Sequence, residues 1–154
     1  MKNDSCVVLL NSAIAKIYSF DKKEKKLTLL SEEVHPSSAA KDYDLVSDEL
    51  GNYQKTNSYN QGTYSPNKTP KEIEAEKFAS ILADLIEEKS SKFKGLYIFS
   101  PAKFGHLLST KLNKSVIDKI ISLEHKDYTK LHHDDLEEKI IPFLIYPGNK
   151  SNKI

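Results

Sequence analysis

The chain has 154 residues and 17.5 kDa, is 38% hydrophobic and 29% charged, and sets 23 basic residues against 22 acidic ones. At this length one core buries roughly two-thirds of the unfolded chain's surface without help from a metal or disulfide. A formal charge of +1 excludes a whole-molecule field drawing it to nucleic acid or an anionic membrane. All the basic residues are Lys, so bidentate guanidinium contacts and arginine fingers are excluded, and recognition must use Lys, amides and backbone N–H groups. The single cysteine, Cys6, has no internal partner and lies in an apolar run, where a buried thiol is expected.

Residues 6–10, Cys-Val-Val-Leu-Leu, read as a strand buried on both faces. The run is too short for a signal sequence or a membrane span, so the expected location is the cytoplasm, with export by a route that reads no N-terminal signal left open. Residues 13–20 alternate, with Ile14, Lys16, Tyr18 and Phe20 on one face, and Asp21-Lys22-Lys23-Glu24 supplies a charged turn. Residues 27–34 make a third strand ended by His35-Pro36, which completes an antiparallel meander. From 37 to 69 the period is lost among Ser, Asn, Asp, Lys and Gln, with Tyr43, Tyr53, Tyr59 and Tyr64 scattered between. That is a long polar loop, either functional or a disordered insert with no ligand.

Thr69-Pro70-Lys71-Glu72 carries an N-cap, a proline at the first helical position and an acid that can close a capping box. Ala75, Phe78, Ala79, Leu82, Leu85 and Ile86 give the helix that follows an apolar stripe. Residues 96–99 read as a strand, and Ser100-Pro101 as the capped start of a second helix through Phe104, Leu107, Leu108 and Leu112. Residues 116–123 fit either a short helix or a strand, and a strand is placed over 120–123. Asp134, Asp135, Glu137 and Glu138 lead a last helix that Pro142 is expected to end, leaving 143–146 as an edge segment or partner contact. The expected class is α/β with a mixed five-stranded sheet, as one domain over 1–146 with a tail over 147–154.

Histidines and acids crowd at His132-His133-Asp134-Asp135, with His125 and Asp127 upstream. Neighbouring side chains on a helix diverge, so a capping acidic turn is a better reading than a metal site. No Gly-x-Ser-x-Gly elbow is present, and Ser100, at a strand-to-helix junction, is accounted for as a cap. Phosphate-loop and dinucleotide fingerprints are absent, with five glycines in all, and no cofactor is expected. Backbone N–H groups at the second helix start, with Lys103 and His106, could hold an anion or be ordinary surface. In the long loop Lys55, Tyr59, Asn60, Gln61, Tyr64 and Lys68 could stack on bases and meet phosphates, although its local charge is slightly negative.

Asp44-Leu-Val-Ser47-Asp48 with Gly51, the stretch 70–79, Leu96 to Phe99 and Ser100-Pro-Ala-Lys103-Phe-Gly-His106-Leu-Leu108 form an ordered set. Lys126-Asp-Tyr-Thr129 with Leu131 and Asp135-Leu-Glu-Glu138 continue it. Over about residues 6 to 140 this set resembles the bacterial host attachment protein family. That family in turn is similar to the central domain of archaeo-eukaryotic peptide release factors. The resemblance implies a ribonuclease H-like sandwich. In place of the family's Arg-Pro-Gly-Arg-like turn the chain has Glu49-Leu50-Gly51-Asn52, and where release factors carry Gly-Gly-Gln it has Asn60-Gln61-Gly62. The missing glycines remove the backbone freedom that sets the glutamine's approach, which argues against peptidyl-tRNA hydrolysis.

The expected function is therefore a non-enzymatic, release-factor-like binding module contacting RNA or the ribosome. The alternative is an adhesion or protein-interaction factor meeting a host or envelope protein, and a hydrolase working from the loop or Ser100 is the third. The binding candidates are Ser47, Asp48, Gly51, Tyr59, Gln61, Tyr64, Ser100, Lys103 and His106.

Overall fold

The computed structural model describes residues 5–35 and 69–145. In chain order these form β1 (Ser5–Leu10), β2 (Ile14–Asp21), β3 (Lys26–Val34), α1 (Pro70–Ser90), β4 (Gly95–Phe99), α2 (Ala102–Ser109), α3 (Lys114–Ile117), β5 (Ile120–Glu124) and α4 (His133–Ile145). The strands make one sheet in the order β3-β2-β1-β4-β5. β1, β2 and β3 pair antiparallel as the expected meander, whereas β4 runs parallel to β1 and β5 parallel to β4. The mixed five-stranded α/β sheet is as the sequence predicts.

β1 lies at the centre because Cys6, Val7, Val8, Leu9 and Leu10 are all apolar, and each is fully buried. Strand alternation sends Cys6, Val8 and Leu10 into one core and Val7 and Leu9 into the other. The first core is closed by Ala75, Phe78, Ala79, Leu82 and Ile86 of α1 and by Phe104 and Leu108 of α2. The second is closed by Leu136, Ile140 and Leu144 of α4. α1 starts where its capping box predicts: Thr69 Oγ1 accepts from Glu72 N at 3.2 Å, and Thr69 N donates to Glu72 Oε1 at 3.0 Å.

The outer strand β3 is protected against pairing with another chain. Leu29 faces Tyr18 and Ser31 faces Ile17, so Leu30 is an extra residue that bulges the strand. Glu137 of α4 covers part of the same edge, its Oε2 accepting from Leu27 N at 2.9 Å.

Two local expectations are corrected and one ambiguity is resolved. α4 does not stop at Pro142 but runs on to Ile145, so 143–145 are a helical turn rather than an edge segment, and Tyr146 lies outside the described residues. Proline there removes one helical hydrogen bond on the exposed side. Leu144 still seats in the core, its carbonyl accepting from the Tyr97 hydroxyl at 3.4 Å, and the Phe143 ring meets Phe99 at 5.7 Å. Ser100 is not the cap of α2: Pro101 occupies that position, and no side chain caps the helix. The ambiguous stretch before Leu123 holds both elements, a one-turn helix capped by Asn113 and then β5.

Cys6 is enclosed in the first core, and burial pushes its thiol up from 9.0 to about 12, with Lys119 opposing slightly. The folded thiol stays protonated where the unfolded one ionises, so this group costs stability as pH rises from about 9 toward 12. Iodoacetamide at about pH 8 should leave native Cys6 unmodified while alkylating urea-unfolded protein completely. Rapid labelling of the native protein would contradict this packing.

Candidate functional site

The parallel strands all end at one edge of the sheet, where Leu9, Phe99 and Glu124 lie in a row. Open α/β sheets place ligand sites outside the carboxyl ends of such strands. The polar residues that follow each apolar run gather here: Asn11 and Ser12 after β1, Ser100 after β4, and Asp127, Tyr128 and Thr129 after β5.

Asn11 is the hub. Its Oδ1 accepts from Ala13 N at 2.7 Å and Ile14 N at 2.9 Å, turning the chain from β1 into β2. Its Nδ2 donates to Asp127 Oδ2 at 2.9 Å and to Thr129 Oγ1 at 3.2 Å. Asp127 Oδ1 accepts from Thr129 N at 3.0 Å and from Thr129 Oγ1 at 2.6 Å, and Lys16 Nζ donates to Thr129 O at 2.9 Å. The network ties the β1–β2 turn to the connection between β5 and α4, and it uses all the donors and acceptors of the Asn11 amide.

Beneath it, Glu124 is 9% exposed, and its Oε2 accepts from Ser122 Oγ at 2.7 Å. The Tyr128 ring packs on Phe99 at 5.5 Å, and burial, with the Glu124 charge adding to it, raises its phenol above the ordinary value. Burial also raises Tyr97, and burial together with Glu32 raises Tyr18, so the tyrosines of this face are neutral donors at physiological pH.

Of the binding candidates, Ser100, Lys103 and His106 are brought to this edge. Ser47, Asp48, Gly51, Tyr59, Gln61 and Tyr64 lie outside the described residues. Ser100 is fully buried, packs against Gly105 and donates its hydroxyl to Pro101 O at 3.0 Å, so it is not presented to a substrate. Lys103 is half-buried and His106 exposed, both on the first turns of α2. The crowded histidines and acids flank the start of α4, with Asp134 and Asp135 in its first turn and His133 Nε2 at 3.1 Å from Glu137 Oε2. Among the described residues no three His, Cys, Asp or Glu side chains converge as metal ligands would.

Asn11 and Glu124 are absent from the sequence-derived candidates, Lys16 appears there only as a strand-face residue, and Asp127 and Thr129 only in the histidine cluster and the motif Lys126-Asp-Tyr-Thr129. The available signal is a polar residue set immediately after an apolar strand, as in Leu10-Asn11 and Leu123-Glu124. Asn11→Ala should lower unfolding stability by about 1 kcal/mol in urea titration, because it removes the bonds that close the turn and tie it to Asp127 and Thr129. Asn11→Asp should be destabilising at neutral pH, where it faces the Asp127 carboxylate, and should recover part of the loss at about pH 4. An unchanged midpoint for both variants would refute the hub.

Among the described residues no helix is long and apolar enough to cross a membrane. No curated protein matches the chain. A family model does, over residues 6–140, a span that takes in every described strand core and the Asn11 network. On that match the chain belongs to the family described as "Protein required for attachment to host cells".

Proposed function

We propose that this host attachment family protein is a non-enzymatic, release-factor-like module that binds RNA or the translation machinery. The observation that carries the reading is the sheet itself. An antiparallel hairpin continued through β1 into two parallel strands, in the order β3-β2-β1-β4-β5, agrees with the ribonuclease H-like layout that the resemblance implies.

The chain path supports a contact role for 37–69. His35 N donates to Ala13 O at 2.9 Å, and His35 Nε2 donates to Glu74 O at 3.0 Å. The chain therefore leaves β3 and re-enters at α1 beside the carboxyl edge. Tyr59, Gln61 and Tyr64 fall between these anchors in sequence, with Ser47, Asp48 and Gly51 before them. Tyrosines in such a segment would stack on unpaired bases without reading their identity. Catalysis is disfavoured by Ser100, whose hydroxyl is buried and committed, and by Asn11 and Asp127, whose polar atoms serve the hub.

The family's description favours a second reading, direct adhesion to a host or envelope protein. Co-sedimentation with ribosomes at two salt concentrations separates the two. The module should pellet with ribosomes at low salt and be released as salt rises, and Tyr59→Ala or Tyr64→Ala should weaken retention by roughly 1 to 3 kcal/mol per stacked base. Absence from the ribosomal pellet at both concentrations, with the protein detectable on unlysed cells, would replace this reading with adhesion.

A further inference from the structure

We propose that the amino edge of the sheet, opposite the Asn11 network, is a docking surface for the phosphate backbone of RNA; this rests on the RNA-binding reading above and gives it a place. Phe20, Ser5 and Gly95 form one row across β2, β1 and β4, so the turn after β2 and the connection before β4 emerge side by side. At ordinary strand spacing the two ends of that row are about 10 Å apart, the rise of about three nucleotides.

The turn is built to present charge. Asp21 Oδ1 accepts from Lys23 N at 3.0 Å and Glu24 N at 3.2 Å, and Lys25 closes the turn in the left-handed region at φ 55°. Lys22, Lys23, Lys25 and Lys26 are all exposed around this tip. Across the row, Lys92 and Lys94 are exposed in the connection from α1 to β4. Among the described residues, none of these six lysines is in an ion pair. Two other lysines at this end have structural duties and are left aside: Lys89 sits in the last turn of α1, and Lys119 Nζ donates to Ser90 O at 2.8 Å. Glu24, Glu87, Glu88 and Asp118 are exposed acids nearby, and Glu137 of α4 reaches Leu27 N at 2.9 Å beside the turn.

The opposite edge carries Glu124 and Asp127 at and after the end of β5, and the sequence of 37–69 is slightly acidic as well. Phosphate neutralisation is therefore sought elsewhere, and the amino edge gathers six exposed lysines that, among the described residues, are in no ion pair. An anionic bilayer fits less well, because residues 21–26 contain no apolar side chain to insert, and Leu27 is buried. Without Arg, and with no exposed aromatic on the tip, the surface holds the backbone and leaves the bases unread.

The test uses the full chain and fluorescein-labelled single-stranded RNA of about 20 nucleotides, one all-uridine and one of mixed sequence, in anisotropy titrations over a series of salt concentrations. Three variants are compared: Lys22, Lys23, Lys25 and Lys26 all to Gln; Lys92→Gln with Lys94→Gln; and, as the control at the opposite edge, Lys126→Gln with Lys130→Gln. Urea midpoints establish that each is folded. Wild-type protein should bind both RNAs within about twofold of each other. The fourfold variant should lose more than about tenfold in affinity at low salt and about 3 from the log–log salt slope. The Lys92/Lys94 variant should lose about half of that slope change, and the control should stay within about twofold.

If wild type and the fourfold variant bind equally well, the surface is wrong while RNA binding stands. If wild type binds neither RNA nor ribosomes, both readings fall. If the lysines instead govern binding to phosphatidylserine vesicles and RNA is ignored, the edge is a membrane contact and the inference is overturned.

Discussion

Because every residue from Cys6 to Leu10 is buried, β1 needs a strand on each side and a helical layer on each face. β2 and β4 supply the strands, and α1 with α2 on one face and α4 on the other supply the layers. Since β4 must run parallel to β1, its connection has to cross back over the sheet, which is the work of α1; β5 repeats the step through α2 and α3. Chain direction then follows. The carboxyl ends of β1, β4 and β5 share one edge, and the β2–β3 turn is sent to the other.

The two edges are chemically unlike. At the carboxyl edge the polar groups bond to one another: Asn11 with exposed Asp127 and buried Thr129, Lys16 with Thr129, Ser122 with Glu124. Such a closed network rigidifies connections and leaves little chemistry for a substrate. At the amino edge six lysines are exposed and, among the described residues, in no ion pair, an arrangement suited to a polyanion held by weak, salt-sensitive contacts. On the proposed reading the protein acts through that surface, and its interior serves to hold the surface in place.

The features legible in the sequence are those set by local pattern. The unbroken apolar run of β1, the Thr69-Pro70-Lys71-Glu72 cap and the three-and-four spacing from Ala75 to Ile86 each specify an element without reference to the rest of the chain. Pro142 misleads because a local rule meets a tertiary one: the seat of Leu144 in the second core outweighs one lost helical bond. Ser100 misleads for the converse reason, since its residue type suits a cap but its position places the hydroxyl inside the fold. The Asn11 network was beyond local reading, because Asn11 and Asp127 stand 116 residues apart. The family motif Lys126-Asp-Tyr-Thr129 marks one half of it and gives no hint of the other.

Ultraviolet cross-linking in living cells, followed by mass spectrometry of nucleotide-bearing peptides, bears most directly on the claim that this is an RNA-facing module. The account predicts nucleotide adducts on peptides spanning 21–26 and 37–69 and none on the face of α4. Adduct-free protein, recovered on the surface of intact cells, would contradict it.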